Sequence, residues 1–213
     1  MPSHLSNRER AKKKRRETIL KAAENLFLHQ GIDNTTMDEI AKEAEIGIAT
    51  LFRYFPKKEL IIQEVATAKL RILLGALKEI EECTSTCMEM MTAVMDFFID
   101  QMAEQDGAMP KLLDNFVNYK AVAIDSFDDL NMYNEMRDEI SIVFTRMIET
   151  RKNDGTIKQE LRAAQIISTI LSNFSVFTFK LSLKGNEDLP APEITSEEQL
   201  VIMKRIFLDY LKP

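Results

Sequence analysis

Thr36-Met37-Asp38-Glu39-Ile40-Ala41-Lys42-Glu43-Ala44-Glu45-Ile46-Gly47-Ile48-Ala49-Thr50-Leu51-Phe52-Arg53-Tyr54-Phe55-Pro56 is the stretch that decides the fold. Thr36 with Glu39 three residues on is a capping box, in which hydroxyl and carboxylate satisfy each other's orphan amides, worth about 1 kcal/mol at a helix start. Met37, Ile40, Ala41 and Ala44 then recur at helical spacing as one buried face. After Glu45-Ile46-Gly47 a second short helix buries Leu51 and Phe55, and Pro56 ends it. On its opposite face Thr50, Arg53 and Tyr54 stand at i, i+3 and i+4. That face is polar and can donate hydrogen bonds. A short rod braced by a second helix, with small Gly47 at its approach, has the dimensions to enter the major groove of a DNA duplex.

Upstream of this pair, Arg8 to Lys21 carries eight basic residues against Glu9 and Glu17. The run leads into Ile19, Ala22, Ala23, Leu26 and Phe27, the apolar stripe of one amphipathic helix that Gly31 stops. Downstream, Lys57 opens a long helix reaching about Glu82, with Leu60, Ile61, Val65, Ala68, Ile72, Leu73 and Leu77 at helical spacing. In its first turn Lys58 lies where free amides and the positive end of the helix dipole favour a phosphate. Further helices are expected near 84–104, 109–123, 132–153, 159–183 and 196–211. They are separated by Asp106-Gly107 with Pro110, the acidic patch Asp125 to Asp129, Asp154-Gly155, and Gly185 to Pro192. The fold class is all-α, with a helix-turn-helix domain at 1–60 and a larger helical domain at 61–213.

The net charge of −6 looks wrong for a nucleic-acid binder until it is divided along the chain. Residues 1–60 hold twelve Lys or Arg and nine Asp or Glu, net +3; the other residues hold sixteen and twenty-five, net −9. Exposed charges more than about 10 Å apart are largely screened at 0.1 M salt, so a local excess of cations suffices for a phosphate-facing surface. No apolar run approaches the roughly 20 residues that cross a bilayer, and no apolar signal segment follows the first basic residues, so no membrane partner and a cytoplasmic location are expected. Cys83 and Cys87 make no disulfide framework; with the histidines only at 4 and 29, they read as two small buried hydrophobes, and no metal site is expected.

The run from Thr36 to Ala44, then Ile46, then Ala49-Thr50-Leu51-Phe52-Arg53-Tyr54-Phe55-Pro56-Lys57-Lys58-Glu59, resembles the DNA-binding signature of the TetR family of transcriptional regulators over about residues 15–65. The resemblance implies that Gly47, Ile48, Thr50 and Arg53 lie at the groove and that Thr36, Tyr54 and Lys58 hold phosphates. It further implies a dimer on a near-palindromic operator and repression relieved by a small effector. Three positions depart from the pattern: Glu45 stands where Gly is usual, Gly47 where Ser is common, and Phe52 where a phosphate-bonding Tyr is common. The contact set here therefore leans on Thr50, Arg53, Tyr54 and Lys58. Lys57 also replaces the usual small cap.

In the second domain, Met91, Met95, Phe98, Met102 and Phe116, with Tyr119, Phe144, Met147 and Phe174, are candidate linings of an adaptable pocket for an apolar or amphiphilic effector. Met and Phe at helical spacing are also ordinary core, and each of these positions has that plainer reading. The last two helices are apolar around more than one face. They either complete the monomer core or form half of an intermolecular four-helix bundle; the latter is the homodimer interface that the resemblance implies, at Ile167, Ile170, Phe174, Phe177, Met203, Phe207 and Tyr210. No nucleophile elbow, phosphate-binding Gly loop or metal-ligand spacing is present, so no catalytic residue and no cofactor is expected. An activator of the same family, an all-helical enzyme and a helical interaction protein are the competing readings.

Overall fold

The computed structural model describes residues 6–103, 107–122, 131–183 and 194–213, except for the side chains of Val122, Ile170, Leu171, Ser175, Phe179, Ser182 and Leu183. Among the described residues every regular element is helical. The chain divides into two compact units, residues 1–68 with 115–133, and residues 69–114 with 134–213. The first therefore takes in early turns of the long helix and parts of two later ones as well as residues 1–60.

In the first unit, α1 (Asn7–Gln30) starts at a capping box of its own: the Ser6 amide donates to the Glu9 carboxylate at 2.7 Å and the Glu9 amide to the Ser6 hydroxyl at 3.2 Å. Its apolar stripe is buried at Ile19, Ala22, Ala23 and Phe27, and it ends at Gly31, whose φ of 82° a side chain would strain. α2 (Met37–Glu43) packs on α1, and α3 (Ile48–Tyr54) on α2. Ile40, Ala41, Leu51 and Phe55 are buried as the periodicity requires, along with Ile61, Ile62 and Val65 of α4 (Lys58–Cys83). Each fully buried large aliphatic or aromatic side chain contributes about 1.5–3 kcal/mol.

The second unit is built on α5 (Cys87–Ala103), which packs against the last two helices. α6 (Ala108–Val122) and α7 (Asn131–Arg151), like α4, contribute residues to both units. The 84–86 turn is held by groups distant in sequence. Arg151 donates to the carbonyls of Glu81 (2.7 Å) and Thr84 (3.3 Å), satisfying the carboxyl end of α4. The Asp154 carboxylate accepts from the Cys87 amide at 2.5 Å, and the Thr156 hydroxyl from the Met88 amide at 3.2 Å, satisfying the amino end of α5.

Two expectations are corrected. Residues 159–162 are not helical: α8 (Ala163–Gln165) starts later and runs through a π-helical segment, Ile166–Leu171, into α9 (Ser172–Leu183). The Ser172 amide bonds back to the Ile167 carbonyl, and its hydroxyl donates to the same oxygen at 3.3 Å, which favours the wider turn over the α-helical one. The cysteines also differ from two buried hydrophobes. Cys83 ends α4 and is exposed, whereas Cys87 is buried at the start of α5. Burial, then the Asp154 charge, pushes the Cys87 thiol up to about 11, so it stays protonated and inert.

α10 (Ser196–Leu211) begins at a Thr195–Glu198 capping box. Its end is held by Lys158, whose amide donates to the Leu211 carbonyl at 2.8 Å and whose ammonium donates to the Tyr210 carbonyl at 2.6 Å. Among the described residues no helix is long and apolar enough to cross a membrane, and no group of His, Cys, Asp and Glu is placed to hold a metal ion.

Candidate nucleic-acid interface

The α2–α3 turn closes through a Schellman arrangement. The Ile46 amide donates to the Ala41 carbonyl at 2.9 Å and the Glu45 amide to the Lys42 carbonyl at 3.1 Å. This geometry puts Glu45 at φ 53°, the left-handed region where a side chain is strained, and it is the one such non-glycine among the described residues. The departure at Glu45 is therefore a departure of backbone preference as well as of charge. Gly47 caps α3 in ordinary extended conformation, with no side-chain acceptor and nothing within 4 Å of where a Cβ would stand.

α3 buries Leu51 and leaves Phe52 and Arg53 exposed, with Ile48, Thr50 and Tyr54 half-buried. The Arg53 guanidinium lies 6.0 Å from the centre of the Tyr54 ring. Gly47, Ile48, Thr50, Arg53 and Tyr54 thus come together on or beside one short helix. Phe52 adds an apolar ring, 47% exposed, to the same element. Thr36, at the head of α2, is exposed, but its hydroxyl donates to the Glu39 carboxylate at 2.8 Å while accepting from the Glu39 amide at 3.3 Å. The Thr36 amide also donates to that carboxylate at 2.8 Å, and this bond first, then the hydroxyl's, holds the Glu39 carboxyl below its ordinary value.

Lys58, expected to face a phosphate, has close partners within the chain. Its ammonium donates to the carbonyls of Ile32 (3.0 Å) and Thr35 (2.9 Å) and lies 5.4 Å from the centre of the Tyr119 ring. It clamps the loop between α1 and α2 to the start of α4. Tyr119 in turn donates to the Glu59 carboxylate at 3.3 Å; burial first, then Glu59 and Asp33, raises its phenol above the ordinary value.

Arg16 is the residue that sequence reasoning passed over as one more cation of a basic run. Its Nε donates to Glu64 Oε1 at 2.9 Å, its Nη2 pairs with Glu64 Oε2, its Nη1 donates to the Tyr54 carbonyl at 3.4 Å, and its guanidinium stacks 4.2 Å from the centre of the Phe55 ring. One side chain thereby ties α1, the end of α3 and α4. The signal was present: Arg16, Ile19, Ala23 and Phe27 follow one another by three or four residues along the buried stripe.

Residues 19–65 match the model of the tetR family of bacterial regulatory proteins. The chain carries a tetR-family domain. The chain is also 32% identical over 87 residues to an HTH-type transcriptional regulator of Staphylococcus aureus strain USA300, and equally to one in strain NCTC 8325. Those matches cover 41% of this chain and 47% of each relative, so the chain spans about half the length of the curated relatives it matches. Among solved structures, the fatty acid degradation regulator FadR from Bacillus halodurans aligns with a TM-score of 0.72 at 14% identity, over 91% of this chain and 94% of that one. The ketosteroid transcriptional regulator KstR2 of Mycobacterium tuberculosis gives 0.68 at 16%, over 93% and 95%. Thermus thermophilus FadR, a TetR-family repressor in complex with lauroyl-CoA, gives 0.56 at 18%, over 92% and 94%. These likenesses extend the tetR-type fold beyond the matched domain across most of the chain, and the relatives are regulators of transcription, not enzymes.

The candidate pocket residues fall in two places. Met91, Met95, Phe144, Met147 and Phe174 are buried in the core of the second unit, and Phe98 and Met102 pack against it. Phe116 and Tyr119 belong to the first unit, where Phe116 stacks 4.5 Å from Tyr133. Of the candidate interface residues, Phe174 is fully buried within its own unit, with the Phe98 and Phe207 rings each 6.3 Å away. Ile167, Phe177, Met203 and Phe207 are half-buried, Tyr210 is 55% exposed, and the Ile170 side chain lies outside the described residues. The exposed apolar row on these helices also includes Val176, Ile202 and Ile206. A cavity of about 320 Å³ opens beside it, lined by Leu161, Ile166, Thr169, Ile206, Phe207 and Tyr210 among others.

Proposed function

We propose that this protein is a dimeric transcriptional regulator of the tetR type that holds a near-palindromic double-stranded operator in the cytoplasm, represses from it, and is released by a small apolar or amphiphilic effector. The observation that carries the reading is the outward face of α3. Thr50, Arg53 and Tyr54 are offered to solvent on a helix whose other face is anchored by buried Leu51 and Phe55. Gly47 and Ile48 lie at the approach to the groove, with Thr36 and Tyr54 on flanking phosphates.

Dimerisation is supported by Val176, Ile202, Ile206 and Tyr210, which expose apolar surface along α9 and α10 where Ile167, Phe177, Met203 and Phe207 lie half-covered. The effector site is assigned to the methionine- and phenylalanine-rich core of the second unit, around Met91, Met95, Phe98, Met102, Phe144, Met147 and Phe174. Thioethers re-pack around a guest with little strain. An amphiphilic effector is in keeping with the lauroyl-CoA bound by Thermus thermophilus FadR. Phe116 and Tyr119 belong to the first unit and stand outside that core.

Selection of the full chain against a random duplex library, followed by binding of variants, tests the reading. Thr50→Ala and Arg53→Ala are expected to relax preference at particular base positions by about 1–3 kcal/mol each. A uniform loss across all sequences would remove their base-reading role. Ile202→Glu with Ile206→Glu is expected to give monomers in sedimentation; an unchanged dimer would move the interface elsewhere.

A further inference from the structure

We propose that the first turns of α1, before Arg16, form a phosphate-binding rail that engages the backbone of duplex DNA beyond the base pairs read by α3, using Arg8, Lys12 and Arg15. This rests on the DNA-binding reading above and adds a second contact surface to it.

Residues 6–15 are all exposed, yet residues 7–15 are helical, held from their first turn by the Ser6–Glu9 capping box. Six of them are cationic, and among the described residues Lys13 alone has an ionic partner, Glu17 at 4.0 Å. Such a helix works against itself. Arg8 and Lys12, like Arg10 and Lys14, are like charges four apart, and Arg8 and Arg10 lie in the first turn at the positive end of the helix dipole. No core contact compensates them, so local stability gives no reason for the arrangement. A polyanion alongside turns the same repulsion into attraction.

The orientation follows from Arg16. At 100° per residue, Arg8, Lys12 and Arg15 lie on the same side of α1 as Arg16, Ile19 and Ala23, whereas Arg10, Lys13 and Lys14 lie on the other. Arg16 is fixed against the Tyr54 carbonyl and the Phe55 ring at the end of α3. The stripe of Arg8, Lys12 and Arg15 therefore continues the inward side of α1 past the point where there is any core to cover, starting from the end of the reading helix. From Arg8 to Arg16 the helix rises about 12 Å, a length that along the duplex axis, at about 3.4 Å of rise per phosphate of one strand, covers three to four nucleotides. The rail is already helical, held at its start by the Ser6–Glu9 capping box, and it makes no base contact.

The test uses the full chain and the duplex it enriches from a random library, both bare and extended by roughly ten random base pairs at each end, one turn of duplex. Two triple variants remove equal charge: Arg8→Gln, Lys12→Gln, Arg15→Gln on the inward side, and Arg10→Gln, Lys13→Gln, Lys14→Gln on the outward side. Glutamine keeps the helix propensity, and circular dichroism checks that helix content is retained. Wild type is expected to bind the extended duplex more tightly than the bare one. The inward triple is expected to lose that gain, and its slope of log affinity against log salt should shrink by about 2–3, near 0.9 per phosphate contact. The outward triple is expected to keep both. An inward triple with wild-type slope and wild-type flank gain would overturn the rail, as would equal losses in both triples, which would mark a net-charge effect. Either result leaves sequence-specific binding by α3 standing. Wild type enriching no duplex at all would overturn the rail together with the DNA-binding reading.

Discussion

The guanidinium of Arg16 grips the carboxylate of Glu64 across 48 residues of sequence, with Nε donating to Oε1 at 2.9 Å and Nη2 closing the fork. Because the same group stacks on Phe55 and donates to the Tyr54 carbonyl, it fixes the end of the reading helix against both α1 and α4. Arg16→Ala is expected to lower the unfolding free energy by about 1–2 kcal/mol, discounted because the pair is partly exposed. Arg16→Lys is expected to recover less than half, lacking the planar fork. Arg15→Ala, one residue away and exposed, stays within about 0.5 kcal/mol of wild type. Urea denaturation separates the three.

Lys58→Ala leaves the carbonyls of Ile32 and Thr35 without their charged donor. A loss of about 1–3 kcal/mol in stability is expected, with the salt dependence of DNA binding near that of wild type. Denaturation and salt-titrated binding on the same variant decide the matter. Undiminished stability with a slope smaller by about 1 would return Lys58 to a phosphate contact.

Glu45→Gly is expected to stabilise the protein by roughly 1 kcal/mol, because φ 53° suits glycine and strains glutamate. It also removes a negative charge beside the reading helix, so affinity for duplex rises with it. A fall in thermal midpoint would mean that the side chain makes a compensating contact.

Much of the reading head was legible because its signals are local. Thr36 and Glu39 mark a helix start, Gly31 and Pro56 mark stops, and Leu51 and Phe55 declare a buried side. The partners of Lys58 and Arg16 were hidden for one physical reason. A cation's partners are chosen by tertiary packing, and nothing near Lys58 in sequence points to carbonyls at 32 and 35, or near Arg16 to a carboxylate at 64. The same limit applies to Tyr119, whose hydrophobicity suggested a pocket while its hydroxyl meets Glu59 in the first unit. The π-helical turn at Ile166–Leu171 was hidden for another reason, since period 3.6 and a single wide turn leave the same apolar pattern.

Acid weakens the α4–α5 turn through Asp154. Burial raises its carboxyl, but the Thr156 hydroxyl, the amides of Cys87 and Thr156, and Arg151 outweigh it and hold the group below its ordinary 3.8. A carboxyl depressed on folding contributes stability that is full above its unfolded value and lost as pH falls through the folded one. Stability is therefore expected to decline below about pH 4, and Asp154→Asn to flatten that decline while lowering stability at pH 7. Denaturation midpoints between pH 7 and pH 2 give the comparison; parallel curves for the two proteins would exclude Asp154 as a source.

The central claim is that the exposed face of α3 reads a duplex. Fluorescence anisotropy of the full chain, with no added effector, on its library-enriched duplex and on a scrambled duplex of the same composition tests it most directly. The account predicts affinity at least about a thousandfold tighter for the enriched sequence at physiological salt, reduced by Arg53→Ala. Equal affinity for the two duplexes, at low as well as physiological salt, would contradict it.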